Sequence, residues 1–202
     1  MPEPHKEVLA RPGPLRILVL EDQANDAKLM IGQLRRAGLN FTAMRVDTRT
    51  DFIEALETFT PDVVLLADPP EFDGTKALAH VRHVHPEIPA LMVSDASDEE
   101  AVIELLKTGA RDYVLKGNLL RLPSAVERAI LVEQGIRARK AAEAAIAISE
   151  LQYRRLFESA RDGLLILDAD TTRIIDINPY LVELLGYNYK YYLGKTLAIA
   201  RD

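Results

Sequence analysis

The chain has 202 residues, a formal net charge of −6 and no cysteine. The acidic balance argues against general binding of nucleic acid or acidic membranes, because phosphate groups need a basic face, and the missing cysteines exclude disulfides, thiolate zinc sites and cysteine nucleophiles. No apolar run approaches the roughly 20 residues of a membrane-spanning helix and the first residues lack a signal-peptide core, so we expect a cytoplasmic protein.

Short apolar runs alternate with helical patterns over the first part of the chain. The helical patterns end at Gly38, before Pro61 and at Gly109, and Ser97-Asp-Glu-Glu100 forms a capping box that opens the last of these three. Strands joined through helices by short loops predict a doubly wound α/β fold with a parallel five-stranded sheet and helices on both faces. The five predicted strands are Arg16–Leu20, Phe41–Val46, Asp62–Ala67, Pro89–Val93 and Asp112–Leu115.

A long helical pattern and then a second strand-rich segment follow the predicted sheet. Residues 125–160 contain one glycine, Gly135, as the only strong breaker and are rich in Ala, Glu, Arg and Lys. Apolar residues at heptad-like positions form a seam along this helix, which is either a helical spacer or a helix that pairs with a second copy. From Gly163 onward, two strands and a short helix that ends at Gly186 predict a second domain. The seam consists of Ala141, Ala144, Ile148 and Leu151, and the two strands are Leu164–Leu167 and Arg173–Asp176.

Polar side chains follow four of the predicted strands. Glu21 and Asp22 come after the first strand, Asp68 after the third, Ser94 after the fourth and Lys116 after the fifth. Chemistry in such sheets collects at the carboxyl ends of the strands. Three carboxylates supply the oxygen ligands that Mg²⁺ prefers, and a lysine and a hydroxyl suit a bound phosphoryl group. The sequence therefore predicts a magnesium-dependent phosphate site.

Five short motifs are spread over the segment from about Leu15 to Ile130. They are Leu18-Val-Leu-Glu-Asp22, Pro61-Asp-Val-Val-Leu-Leu66, Phe72-Asp-Gly74, Met92-Val-Ser94 and Asp112-Tyr-Val-Leu-Lys116. With these motifs the segment resembles the receiver domains of two-component response regulators, which have a flavodoxin-like fold. The resemblance implies that an aspartate takes a phosphoryl group from a histidine kinase or phosphotransfer protein. It also implies Glu21, Asp22 and Asp68 as Mg²⁺ ligands, Lys116 as the partner of the phosphoryl group, and Ser94 and Tyr113 as a pair that moves on phosphorylation.

The phosphoacceptor position departs from the family pattern. The acceptor aspartate usually follows the Asp of the Pro-Asp pair by five residues, and that position is Ala67, with Asp68 one residue later. A shift of one residue turns a side chain to the other face of a strand, whereas a bulge restores it. Two hypotheses follow: Asp68 is the phosphoacceptor, or the domain is a degenerate receiver that only dimerises or docks. A flavin carrier and an aspartate phosphatase are disfavoured by Glu21-Asp22 and by Pro70.

A second set of motifs lies in residues 156–197. They are Leu156-Phe-Glu-Ser-Ala160, Asp162-Gly-Leu-Leu-Ile-Leu-Asp168, Ile177-Asn-Pro179, Leu185-Gly-Tyr187 and Leu193-Gly-Lys195. With these motifs the segment resembles the first half of a PAS sensor domain. Such a segment ends before the strands that would close the PAS sheet, so we expect it to pair with another chain or to be poorly ordered.

The resulting prediction is a tail (1–14), a receiver (15–130), a helical linker (131–155) and a partial PAS-like α+β segment (156–202). The receiver accepts phosphate and relays the change through the linker, and the chain forms a homodimer through the linker helix or the PAS region. The sequence contains no kinase core, so whether the chain belongs to an enzyme stays open. His80, His83 and His85 are interpreted as surface residues and not as metal ligands.

Overall fold

The computed structural model describes residues 13–67, 72–95, 103 and 106–196, and the chain divides into two units, Met1–Ala138 and Arg139–Asp202. The first unit contains a five-stranded parallel sheet in the order β2-β1-β3-β4-β5. Its strands are β1 (Leu15–Leu20), β2 (Phe41–Val46), β3 (Val63–Leu66), β4 (Ala90–Ser94) and β5 (Asp112–Leu115). The doubly wound α/β prediction is confirmed, and each predicted strand lies within one residue of its observed bounds.

Helices cover both faces of this sheet. They are α1 (Ala24–Arg36), α2 (Arg49–Thr58) and α3 (Gly74–Val84), with a 3-10 helix (Lys116–Arg121) leading into α4 (Leu122–Ser159). The helix predicted from Ser97 to Gly109 begins outside the described residues, although 106–108 are helical. α1 ends where Gly38 adopts a left-handed φ of 80°, which glycine accepts without strain.

The alternation of side chains along the strands builds two apolar layers. Leu18, Leu20, Val64 and Leu66 pack with α2 and α3 on one face. Ile17 and Val19, one residue out of phase, belong to the other layer with α1 and the start of α4. Because β1 and β3 are buried on both faces, their sequences are continuous apolar runs instead of alternating ones.

The second unit consists of the C-terminal part of α4 and a small α+β segment. Strands β6 (Leu165–Leu167) and β7 (Ile174–Ile177) form an antiparallel pair, followed by α5 (Pro179–Leu185) and α6 (Tyr189–Tyr192). Among the described residues of this unit, the buried apolar cluster is small and consists of Ile174, Ile177 and Tyr192, and Phe157 of α4 is buried as well. The predicted seam residues of α4 are exposed, and Ile148 and Leu151 are more than half exposed.

His85 is not a simple surface histidine. Its Nε2 lies 3.1 Å from Oε1 of Glu57, and its side chain is 18% exposed. Across the described part of the chain, no group of three or more His, Asp or Glu side chains comes together as a set of metal ligands. In the same part of the chain, none of the helices combines the length and hydrophobicity that a bilayer crossing requires.

Candidate phosphoacceptor site

The parallel register brings the polar strand ends to one edge of the sheet. Leu20 pairs with Leu66, so the residues that follow β1 and β3 lie at the same level. Ser94, the last residue of β4, pairs with Leu115 of β5, and Lys116 comes next. Glu21, Ser94 and Lys116 therefore share the carboxyl edge, as the sequence predicts for a site of this fold.

Lys116 is the centre of this edge in the structure. Its Nζ lies 2.7 Å from Oε2 of Glu21 and 2.8 Å from Oδ2 of Asp26. The Glu21 side chain is only 1% exposed and the Lys116 side chain 19%, so the ammonium provides the positive charge that a buried carboxylate requires. The resemblance to receiver domains implies that Lys116 is the partner of the phosphoryl group; among the described residues its partners are Glu21 and Asp26.

Burial and hydrogen bonds shift the pKa values of this cluster in defined directions. Burial raises the pKa of Glu21 above its usual value, against the opposing hydrogen bonds from Lys116 and from the Gln23 amide. Burial also opposes the charged form of Lys116, but the hydrogen bonds to Asp26 and Glu21 outweigh it and raise the Lys116 pKa. The lysine is therefore held as a cation.

Asp22 and the backbone around it are held by a second set of contacts. A hydrogen bond with Glu21, followed by one from Gln23, lowers the pKa of Asp22. Arg45 of β2 donates from Nη1 to the backbone oxygens of Glu21 and Asp22, at 2.8 and 3.2 Å. This arginine fixes the backbone that carries both acids, while their carboxylate oxygens contact Gln23 and Lys116.

Ala67 directly follows β3, at the same edge of the sheet as Glu21, which directly follows β1. Its N–H donates to the carbonyl of Leu20 at 2.9 Å, which continues the ladder between β1 and β3, and its side chain is buried. A methyl group thus lies at the strand position where the family pattern places the acceptor carboxylate. Asp68, the predicted acceptor, lies outside the described residues.

Ser94 and Tyr113 lie on the neighbouring strands β4 and β5. The Tyr113 ring is buried in the layer formed with α2 and α3, and its hydroxyl lies 3.5 Å from the carbonyl oxygen of Ser94. Ser94 is buried as well. The structure thus brings together the two residues of the predicted switch.

The donor chemistry at this edge suits a magnesium ion. Mg²⁺ in phosphate sites commonly keeps several waters and takes one or two protein carboxylates. Glu21 and Asp22 are two such carboxylates at the end of one strand, and Oε2 of Glu21 is paired with Lys116. A metal at Glu21 would therefore meet the Lys116 ammonium as its competitor.

Sequence reasoning missed two members of this site. In the sequence, Asp26 is one of the acids common in the first turn of a helix, where the macrodipole favours them. Arg45 has the pattern of an ordinary exposed residue of an edge strand. The pattern Glu21-Asp22 followed by Asp26 was the available sign, since a third acid on the first helical turn faces the same sheet edge.

Comparisons with known proteins agree with this geometry. A family model for the response regulator receiver domain matches residues 17–127, and a PAS domain model matches residues 151–202. The chain is 29% identical over 172 residues to the transcriptional regulatory protein PrrA of Mycobacterium leprae, covering 83% of this chain and 71% of PrrA. It is 31% identical over 123 residues to the DNA-binding transcriptional regulator NtrC of Escherichia coli, covering 59% of this chain and 24% of NtrC.

Solved structures show the same fold. A CheY-like response regulator receiver domain protein from Methanospirillum hungatei superposes with a TM-score of 0.54 at 19% identity, covering 61% of this chain and 98% of that one. The response regulator DrrB of Thermotoga maritima gives 0.50 at 27% identity, covering 57% and 52%. The chain spans about a quarter of NtrC. From the matched range, the strand order and the acidic edge, the chain belongs to the response regulator receiver family of two-component signalling, with a PAS match behind the receiver.

Proposed function

We propose that this receiver accepts a phosphoryl group on Asp68 from a histidine kinase or a histidine phosphotransfer protein. The observation that carries the proposal is the buried Glu21 paired at 2.7 Å with Lys116, next to Asp22, at the carboxyl edge of the sheet. A buried ion pair adds little to stability compared with apolar residues of the same size, so the fold itself does not require these charges. Phosphoryl transfer does require them.

The chemistry assigned to each group is simple. A carboxylate oxygen of Asp68 attacks the phosphorus of the donor phosphohistidine, the P–N bond breaks, and the imidazole leaves with the bonding electrons and takes a proton. Glu21, Asp22 and Asp68 would hold Mg²⁺, which would supply positive charge beside the phosphoryl oxygens. Lys116 adds a second positive charge, and the Ser94 hydroxyl donates a hydrogen bond to the new phosphate.

The proposal also assigns an output route. Ser94 and Tyr113, which already lie close together, rearrange when the phosphate arrives and change the face next to β5 and α4. The long helix α4 carries this change towards the PAS region. We propose the domain limits 15–130, 131–155 and 156–202, a cytoplasmic location in keeping with the cysteine-free sequence, and a homodimer through the exposed seam of α4 or through the PAS segment.

Exposure to a small phosphodonor, acetyl phosphate, with Mg²⁺ tests the proposal. Intact mass spectrometry should show a gain of about 80 Da, the mass of one phosphoryl group, in the wild type and not in Asp68→Asn. Asp47→Asn is a matched control, because Asp47 follows β2 at the same edge and pairs with Arg45 and not with Lys116. A gain that persists in Asp68→Asn would reject Asp68 as the acceptor.

A second candidate function is a receiver fold that docks a partner without phosphorylation. The buried methyl of Ala67, at the same edge of the sheet as Glu21, favours it, because the usual acceptor position holds no carboxylate. The closed arrangement of Lys116 with Glu21 and Asp26 also provides a stable site without phosphate. The absence of any mass gain in the wild type, with the protein folded and Mg²⁺ present, would select this function.

A further inference from the structure

Asp26 holds one side of the Lys116 ammonium. Its Oδ2 lies 2.8 Å from Nζ, while Oε2 of Glu21 lies 2.7 Å away on the other side. The two acids reach Lys116 from different elements: Glu21 directly follows β1, and Asp26 is in the first turn of α1. The 3-10 helix that begins with Lys116 lies against α1, so this contact is part of the packing of the domain.

The two carboxylates are not equivalent for a metal. Glu21 lies next to Asp22 and supplies donor oxygens of the predicted cation site. Asp26 comes four residues after Asp22, and its side chain is 35% exposed. A divalent cation bound to the Glu21 carboxylate would lie next to the Lys116 ammonium. Two positive charges at such short range repel each other strongly. Lys116 must then separate from Glu21, and Asp26 is the carboxylate that it can keep.

We propose that Asp26 is a positioning residue that holds Lys116 beside Glu21 in the metal-free protein and retains the ammonium when a divalent cation takes the Glu21 carboxylate. The inference rests on the cation site of the proposed function, but not on phosphorylation. Without Asp26, metal binding at Glu21 would leave Lys116 with neither of its two present partners. Asp26 therefore favours metal binding by acting through Lys116.

A double-mutant cycle on Mg²⁺ affinity separates this role from simple charge attraction. Isothermal titration calorimetry with MgCl₂ on the full chain compares the wild type, Asp26→Asn, Lys116→Met and the double variant. We expect Asp26→Asn to raise the Mg²⁺ dissociation constant about fivefold with Lys116 present and less than about twofold in Lys116→Met, which is a coupling of the size seen for residues in contact. Asp47→Asn removes a charge from the same edge and should change the constant by less than about twofold.

Direct attraction between Asp26 and the cation predicts the opposite pattern. Asp26→Asn would then raise the Mg²⁺ dissociation constant in the Lys116→Met background by as much as in the wild type, or by more, because the lysine no longer offsets the Asp26 charge. This result would overturn the proposal. Should Lys116→Met fail to fold, the Lys116 ammonium signal in ¹⁵N NMR of the metal-free protein decides instead. We expect its protons to exchange faster in Asp26→Asn and to recover in Asp26→Glu; exchange unchanged in Asp26→Asn would also overturn the proposal.

The outcomes distinguish this inference from the proposed function. If the cycle shows coupling while acetyl phosphate gives no mass gain, the positioning role of Asp26 stands and phosphotransfer fails. If phosphorylation occurs on Asp68 while the cycle shows no coupling, only the role of Asp26 fails. An absence of Mg²⁺ binding by the wild type overturns both.

Discussion

Arg111, directly before β5, forms an ion pair with Glu133 of α4. Nη2 of Arg111 donates to Oε2 of Glu133 at 2.7 Å, and the Glu133 side chain is 7% exposed. The pair lies at the amino edge of the sheet, opposite the candidate phosphate site. A second contact nearby, from Nη2 of Arg137 to the Glu87 carbonyl at 2.7 Å, fixes the next turn of α4 to the loop before β4.

Glu133→Gln should lower the free energy of unfolding by about 2 kcal/mol. Removing one partner of a fully buried pair costs roughly 3–5 kcal/mol, and the cost is smaller here because the Arg111 side chain is 30% exposed. Urea unfolding followed by circular dichroism measures the change.

The matched control for Glu133→Gln is Glu143→Gln. Glu143 pairs with Arg139 at the same 2.7 Å, but the two side chains are 59% and 82% exposed. An exposed pair of this kind is worth about 0.3 kcal/mol. Equal losses in the two variants would show that burial does not determine the strength of the Arg111–Glu133 pair.

Asp73 should make the stability of α3 depend on pH. Its side chain caps the helix by accepting the Lys76 N–H at 2.8 Å, and this hydrogen bond holds the pKa of Asp73 below its usual value. The pKa of Asp73 is lower in the folded state than in the unfolded state, where it is near 3.8. The charged side chain therefore stabilises the fold at a pH above 3.8, and this contribution is lost as the pH falls through the pKa of the folded state.

Two variants of Asp73 test this pH dependence. At neutral pH, Asp73→Ala should cost about 1 kcal/mol, the usual value of a helix N-cap. Asp73→Asn keeps an oxygen acceptor without the charge, so its difference from the wild type should shrink when urea midpoints are measured below about pH 4. A difference that stays constant down to low pH would contradict the role of the charge.

The sheet could be predicted from the sequence because its strands are buried on both faces. β1 and β3 have apolar residues at nearly every position, and the breakers Gly38 and Pro61 delimit the helices between them. The meeting of Glu21, Ser94 and Lys116 at one edge followed from the same pattern, since the carboxyl ends of parallel strands lie together. The edge strand β2 is largely exposed, and its alternation was a weaker sign.

The ion pairs at the site could not be predicted from the sequence. Asp26 and Lys116 are far apart along the chain, and their contact depends on the docking of the 3-10 helix on α1. Helix-start acids such as Asp26 are common for reasons of the macrodipole alone, so the residue type carries little information. The shift from Ala67 to Asp68 was visible in the sequence, but its structural consequence depends on a loop conformation that no periodicity encodes.

Hydrogen exchange should separate the two units of the chain. We predict lower protection for residues 163–202 than for residues 16–115 at low protein concentration, because the buried apolar cluster of the described part of the second unit is small, while the receiver has two large apolar layers. Leu184 and Ile175, which are 66% and 52% exposed, leave apolar surface for a partner to cover. Protection in 163–202 that rises with concentration would support pairing with a second copy, whereas equal protection of both segments at low concentration would defeat the prediction.

Asn178 should be the most sensitive polar residue of the second unit. Its buried side chain caps α5 by accepting the Leu181 N–H at 3.1 Å, accepts the Leu164 N–H at 2.9 Å, and donates to the Asp162 carbonyl at 2.9 Å. Asn178→Ala leaves these groups without their partner, and each unsatisfied buried group costs roughly 1–3 kcal/mol. We expect the amides of β6 and β7 to lose most of their exchange protection, while the receiver keeps its own.

Asn188→Ala is the matched control for Asn178→Ala. Asn188 caps α6 through a single hydrogen bond, from the Tyr191 N–H at 3.0 Å, and it is exposed. Loss of such a cap costs about 1 kcal/mol or less, so exchange should increase only within α6. Because Asn178 joins the residues before β6 to the start of α5, its removal separates the strand pair from its helix, whereas Asn188 serves one helix end. If Asn188→Ala exposed β6 and β7 as much as Asn178→Ala does, the second unit would be held together by its overall marginal stability and not by the Asn178 hydrogen bonds.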